Sequence, residues 1–432
     1  MSIRNLRSLI VFGVTSSIAG CASMGTRAPT MSSPADAIVI HDDIAYLASD
    51  RLEGRLTGTA GNDSAAAYLA RRYATLKLRE GSPGYLQKFV ARSAADAHAG
   101  VTTGRPTQNV VAILPGSDPR YSGQYIVIGA HFDHLGRETQ FALDPEAKDA
   151  IRNGADDNAS GTAAVLQLAR MLSAIHPRRS IIFANFSGEE EGLLGSQWFV
   201  DHPPVPLDSV MAMVNFDMVG RLNSDKLLVY GTATATELPA ILDSANAHSA
   251  TPLRVSGGGD GFGSSDQTSF YARNIPVLHF FTDIHNDYHR ATDDIEKINS
   301  GGEARVVDLA YRMIRSLDDL PGRLSFVRIA ASPRMSASAN SGSQVYLGSV
   351  PDMAAGDIPG LKLTGVRPGS PADLGGLMAD DVITEFGGLK VTDLQSYSDA
   401  LYSHKPEDVV KVVVLRGGKP VELTVTLGKR GG

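Results

Sequence analysis

Apolar and polar positions follow two rhythms along this chain. Tyr68, Leu69, Tyr73 and Leu76 fall close to one face at helical spacing, with Arg71 and Lys77 away from it, and predict a helix. Asp42 to Ala48 begins another helical pattern, and the glycine-punctuated stretch Leu52 to Gly61 between the two predicts a loop. The runs Val110 to Leu114, Tyr125 to Ala130, Ile181 to Phe186 and Val210 to Phe216 predict strands. Tyr125 to Ala130 is nearly all apolar, as expected of a strand covered on both faces of a sheet. Helices are predicted over Thr162 to Leu172 and Glu303 to Leu317. The pattern then dissolves into a Ser/Ala/Gly/Asn-rich stretch, Ala330 to Ser343, which reads as a linker. Beyond it, Val409 to Leu415 and Val421 to Leu427 predict paired strands of a separate domain.

At 432 residues, 43% hydrophobic and 20% charged, the chain is globular and long enough for two or three domains. A formal net charge of -7 and the lack of any Lys/Arg-rich tract leave no basic footprint for nucleic acid. No internal apolar run reaches the roughly 20 residues needed to span a bilayer.

The amino end has a layout of its own. Arg4 and Arg7 precede the apolar run Leu9 to Val14, and the segment closes on Ile18-Ala19-Gly20-Cys21, as a secretory signal does. Those four residues resemble a bacterial lipobox, which implies removal of residues 1–20, acylation of Cys21 and anchoring in the cell envelope. Ala22 resembles outer-membrane sorting, and a periplasmic or secreted protein is the alternative. Cys21 is the only cysteine, so the chain can form no internal disulfide. A Ser/Thr/Pro-rich tether, residues 21–34, would hold the protein off the membrane.

Candidate chemistry gathers where apolar strands end. Ile181 to Phe186 delivers Glu189 and Glu190 into a glycine-rich turn. Adjacent carboxylates repel, and such a pair makes sense if a cation holds one while the other works as a general base. His131 ends a strand and is followed two residues later by Asp133, the pattern of a metal ligand with an orienting carboxylate. Asp156 and Asp157 sit in a turn before a helix, Asp217 follows a strand, and His289 lies in Asp287-Tyr288-His289-Arg290. Ligands bind at the carboxyl ends of strands in open α/β sheets. Imidazole and carboxylate donors without thiolate suit zinc, or cobalt or manganese. Two metals sharing one carboxylate would account for so many acids.

The blocks AHFDHLG, NGADDNASG, FSGEEEGLLGS, NFDMVGRL and DYHRATDDIEKIN, in this order, resemble the di-zinc aminopeptidase family of metallopeptidase clan MH over about Asp42 to Leu317. The resemblance implies an α/β, phosphorylase/hydrolase-like mixed sheet flanked by helices, spanning residues 35–322. It also implies two zinc ions, one held by His131 and Asp217, the other by Glu190 and His289, with Asp157 bridging. Glu189 would be the general base, Asp133 would orient His131, and Tyr288 would stabilise the tetrahedral intermediate. The chain departs from the family at Ser265-Asp266-Gln267, where Ser-Asp-His is common, and the span Ala91 to Gln108 is too short for an inserted protease-associated domain.

Beyond a linker at 323–343, residues 344–430 resemble a PDZ domain of the bacterial protease type. Tyr346-Leu347-Gly348, Val366-Arg367-Pro368-Gly369-Ser370-Pro371-Ala372 and Asp380-Asp381-Val382-Ile383 carry the likeness. Such domains bind peptide or protein carboxyl termini, or strands, by β-augmentation, and a closed packing module is the alternative. The expectation is a lipid-anchored, zinc-dependent aminopeptidase acting on peptides outside the cytoplasm. The rivals are a carboxypeptidase or glutaminyl cyclase of the same fold, or an inert peptide-binding PDZ lipoprotein.

Overall fold

The computed structural model describes residues 35–92, 103–328 apart from 140, 145, 260 and 262, 345–351, and 360–429 apart from 367, 368 and 393. The signal segment, Cys21, the tether and most of the expected linker lie outside the described residues.

Helix α1 (Ala37–Leu47) starts five residues before the expected pattern, because the Asp36 carboxylate accepts the Ile38 and Val39 backbone N–H groups and caps it there. A tight turn over Asp50–Arg55 leads to α2 (Ala60–Thr75), which buries Leu69 and Tyr73 and leaves Arg71 exposed, while Lys77 lies exposed just past its end. Next come β1 (Arg79–Glu80), β2 (Leu86–Ala91), β3 (Arg105–Leu114) and β4 (Tyr125–His131). Strand β3 begins five residues before the apolar run, where it pairs with β2.

Helix α3 (Gly161–Ser173), β5 (Ser180–Phe186), α4 (Leu194–Asp201) and β6 (Val210–Phe216) follow. The fold continues with β7 (Lys226–Tyr230), α5 (Leu238–Ala247), β8 (Arg254–Gly258), α6 (Gln267–Tyr271), β9 (Val277–Phe281) and α7 (Ser300–Asp319). The pattern missed β7 to β9, which are five residues each and too short to carry a period.

The nine strands form one mixed sheet in the order β1-β3-β5-β4-β6-β9-β7-β8, with β2 beside β1 along β3. Its centre, β5-β4-β6-β9, is parallel throughout, so four carboxyl ends open on one edge. Side chains alternate across this sheet. Ile126, Ile128, Phe183 and Val214 pack on one face beneath α1, α2, α3, α5 and α7, while Val127, Ile182, Phe186 and Met213 pack on the other beneath α4 and α6. Each fully buried side chain of this size contributes about 1.5–3 kcal/mol. Residues Arg323 to Val327, past the expected boundary, still hold to this fold: Arg323 donates to the Val210 carbonyl and Phe326 pairs with Ala235.

The carboxy-terminal strands form a second sheet. It comprises β11 (Ser349–Pro351), β12 (Leu361–Val366), β13 (Val382–Phe386), β15 (Val409–Arg416) and β16 (Lys419–Thr426), with β14 (Leu389–Lys390) on β13. A separate ribbon pairs β10 (Val345–Tyr346) with β17 (Gly428–Lys429). Helices α8 (Pro371–Leu374) and α9 (Leu394–Tyr402) complete a core of its own around Leu363, Ile383, Phe386, Val412 and Val425. Strand β11 pairs only with β12 among the described residues.

Candidate metal centre

Of the residues expected at the metal centre, all but Asp157 leave the sheet at its parallel edge. His131 is the last residue of β4, Glu189 and Glu190 follow β5, Asp217 follows β6, and Tyr288 and His289 lie in the loop after β9. Asp157 comes from the turn before α3, between β4 and β5 in the chain.

The two oxygens of Asp157 face different imidazoles. Oδ1 lies 3.4 Å from His131 Nε2, which lies 3.4 Å from Asp217 Oδ1. Oδ2 lies 3.2 Å from His289 Nε2, which lies 3.0 Å from Glu190 Oε2. Two ligands each about 2.0–2.1 Å from a tetrahedral zinc are about 3.3 Å apart, so these spacings fit two ions on either side of Asp157. Asp217 Oδ1 is buried and has no hydrogen-bond partner among the described residues, as a ligand atom would.

The ring nitrogens turned away from the centre are fixed by backbone. His131 Nδ1 lies 3.2 Å from the Asp133 carbonyl, and His289 Nδ1 lies 2.9 Å from the Phe141 carbonyl. Each carbonyl accepts from Nδ1–H and leaves Nε2 free as the donor atom. The orienting contact for His131 is thus the Asp133 carbonyl. The Asp133 carboxylate, 3.8 Å from Nδ1, instead accepts from Thr57 Oγ1 and from the Glu189 backbone N–H. Asp157 is anchored from behind, since Asp293 Oδ2 accepts the backbone N–H groups of both Asp156 and Asp157, at 2.9 and 3.0 Å. Arg221 donates to Asp293 and Asp287, so its charge is committed to that support.

The electrostatics follow from crowding acids in a dry site. Burial works against ionised His131 and His289, but Asp217 and Glu189 around the first, and Glu190 and Asp157 around the second, raise both well above the usual imidazole value. Burial also opposes ionised Glu190, yet His289 and His134 hold it down to about 2. Glu189 goes the other way. Burial, reinforced by Glu190 and Asp217, raises it well above the usual carboxylate range although His131 opposes. Neighbouring carboxylates thus have their proton affinities pushed in opposite directions, the arrangement of a ligand beside a base.

A shallow cleft, open to solvent, lies over the centre. Met218, Phe281 and Ile284 supply its apolar wall, Ser264, Ser265 and His279 its polar one, and Tyr288 lies on its lining, stacked on His289 with ring centres 3.9 Å apart. At the divergent Ser265-Asp266-Gln267, the Asn215 side chain donates to Ser265 Oγ and Gln267 Oε1. Sequence reasoning gave no role to His134, whose Nδ1 lies 2.7 Å from Glu190 Oε1, or to Asp293. Both stood inside the quoted motifs, three residues after His131 and four after His289.

Comparison with known proteins agrees with this architecture. Residues 109–314 match Peptidase family M28, and residues 335–427 match the PDZ domain. A protein of Pyrenophora teres f. teres described as a probable zinc metalloprotease is 37% identical over 117 residues, 27% of this chain and 23% of that protein. Leucine aminopeptidase 2 of Trichophyton equinum is 25% identical over 336 residues, 67% of this chain and 61% of that one. The chain therefore spans less than two thirds of the length of these relatives. The solved structure of a leucine aminopeptidase precursor from Bacteroides thetaiotaomicron shares the fold with a TM-score of 0.55 at 18% identity, covering 66% of this chain and 98% of that one. Over residues 109–314 the chain is thus similar to peptidase family M28, and over residues 335–427 to the PDZ domain.

Proposed function

We propose that the chain is a zinc-dependent aminopeptidase that removes amino-terminal residues from peptides. The observation that carries this reading is the divided coordination of Asp157, with one imidazole and one further carboxylate on each side. His131, Asp157 and Asp217 would hold one zinc, and Asp157, Glu190 and His289 the other. Bound there, zinc would polarise the scissile carbonyl and acidify water.

The chain's own groups do the rest. Glu189 accepts a proton from the attacking water and returns it to the leaving amine, a role suited to a buried carboxyl with raised proton affinity. Its backbone N–H on Asp133 holds the turn that presents it. Tyr288, stacked on His289 in the cleft lining, would stabilise the oxygen that gains charge. Substrate polarity follows from the cleft lining, which holds Asp157, Glu189, Glu190 and Asp217 and, among the described residues, neither Lys nor Arg. Such a surface favours an α-ammonium group, whereas a carboxypeptidase needs a cationic clamp. The apolar wall suits an apolar first side chain. Acetylating the amino terminus of a short peptide is expected to abolish cleavage and amidating its carboxyl terminus to change it little, and the opposite result refutes the assignment.

The edge of β11, which pairs only with β12 among the described residues, supports peptide binding at the PDZ domain by strand addition. Acylation at Cys21 and a place in the cell envelope are proposed on the sequence pattern alone. Mass spectrometry of the mature amino terminus tests them, and a protein cleaved there without acyl chains refutes them.

A further inference from the structure

His134 lies three residues beyond His131 but engages the other half of the centre. Its ring is fully buried, with Nδ1 2.7 Å from Glu190 Oε1 and 3.9 Å from Asp157 Oδ2. Its Nε2 is also buried and has no hydrogen-bond partner among the described residues. An ionised carboxylate only accepts, so the proton of a neutral ring must sit on Nδ1.

His134, Asp157 and Glu190 also offer atoms that all lie within 4.8 Å of one another, so the length of each contact decides between ligand and support. The nitrogen-to-oxygen spacings that bracket the two zinc positions run from 3.0 to 3.4 Å, whereas 2.7 Å is the length of a charge-assisted hydrogen bond. The ring also meets His289 edge-on, with centres 5.7 Å apart and planes at 72°. The turn before α3 leaves room for it: Gly154 has φ +57°, and a Cβ there would lie 2.4 Å from His134 Cγ.

We infer that His134 is a positioning residue, whose Nδ1–H fixes Glu190 Oε1 so that Oε2 is the oxygen turned toward His289 and the second zinc position. The inference rests on the two-zinc reading above. Both oxygens of Glu190 are then committed, one to an imidazole donor and one to the metal side, and the carboxylate cannot rotate. Losing such support from a metal ligand typically lowers affinity about 10–100-fold.

The test is zinc affinity, read without turnover. Metal-free protein is titrated with zinc in competition with a chromophoric chelator, and His289→Ala identifies which binding step belongs to the second site. His134→Leu keeps the bulk and removes the donor, while His134→Asn places an amide N–H near the position of Nδ1. The leucine variant is expected to weaken the second site about 10–100-fold and leave the first nearly unchanged, and the asparagine variant to recover most of the loss. Wild-type affinity at both sites in His134→Leu would overturn the inference. So would equal weakening of both sites, or an asparagine variant as weak as the leucine one, which would mean direct ligation or simple packing. Unaltered protein that binds fewer than two zinc ions would instead refute the two-zinc reading itself.

Discussion

Glu303→Gln is expected to stabilise the fold by an amount that grows with pH. Glu303 stands in the first turn of α7, fully buried, and neither of its carboxyl oxygens has a hydrogen-bond partner among the described residues. Two effects compete there. The amino end of a helix favours a negative charge by about 0.3–1 kcal/mol, but removing a carboxylate from water costs several kcal/mol. Burial wins, the charges of Asp156 and Asp43 add to it, and the pKa rises well above its ordinary 4.5. The folded state then holds a proton that the unfolded chain has lost. Stability from this group is complete below 4.5 and falls as pH climbs toward the raised folded value, by about 1.4 kcal/mol per pH unit. Glutamine has no such proton. The assay is urea unfolding of both proteins in one fixed metal state at about pH 5, 6 and 7, where every other titrating group cancels in the difference. The gain of the variant should be small at the lowest pH and rise at close to the full slope. A difference that stays constant with pH would show that Glu303 ionises normally inside the fold, and the reasoning would fail.

Glu189→Gln should retain both zinc ions by elemental analysis while kcat falls about 10²–10⁴-fold, and loss of metal would make Glu189 a ligand instead of the base. Zinc binding should release protons, because His131 and His289 carry raised pKa values without metal and must be neutral to coordinate. Apparent affinity should therefore fall as pH falls, and calorimetry in buffers of different ionisation enthalpy that finds no proton release would contradict this. Phe183→Ala, at a position of β5 with no exposure, should cost about 3–5 kcal/mol in chemical unfolding without altering zinc stoichiometry.

How much of this was legible from sequence depends on which atoms make each contact. Strands β4, β5 and β6 announced themselves because both their faces are covered and their residues are apolar without interruption. The carboxyl-end rule then placed His131, Glu189, Glu190 and Asp217 together before any coordinates. Strand β8 was invisible for the opposite reason, since it lies at the end of the sheet order and spells Arg254-Val255-Ser256-Gly257-Gly258. His131 Nδ1 lies 3.2 Å from the Asp133 carbonyl and 3.8 Å from its carboxylate, and a spacing of two residues cannot tell an orienting acid from an orienting backbone oxygen. The loop that fixes His289, through Phe141, carries no motif because its contribution is a carbonyl that any residue could supply.

The glycine-punctuated loop Leu52 to Gly61 follows the same logic. Arg55 within it is wholly buried, and its Nε donates to the Phe132 carbonyl at 2.7 Å. Its Nη1 donates to the carbonyls of Leu47 and Asn153, and Nη2 to that of Gly154 at 3.0 Å. Those carbonyls belong to the end of α1, the residue after His131 and the turn that carries Asp157, so one guanidinium ties three segments at the back of the centre. Burial lowers its pKa to about 10, with Asp133, Asp157, Asp293 and Glu190 pulling the other way, and it stays charged at neutral pH. A cation without a carboxylate partner in contact would be unstable in an apolar core. Beside four acids it offsets part of their repulsion while its rigid fork fixes the backbone. The same charge weakens attraction for metal cations, so the site must draw its affinity from geometry as well as net charge. Positive φ values at Glu53, Gly54 and Arg55 are what turn that side chain inward. The three-residue reversal is therefore part of the centre's construction, although it contributes no ligand.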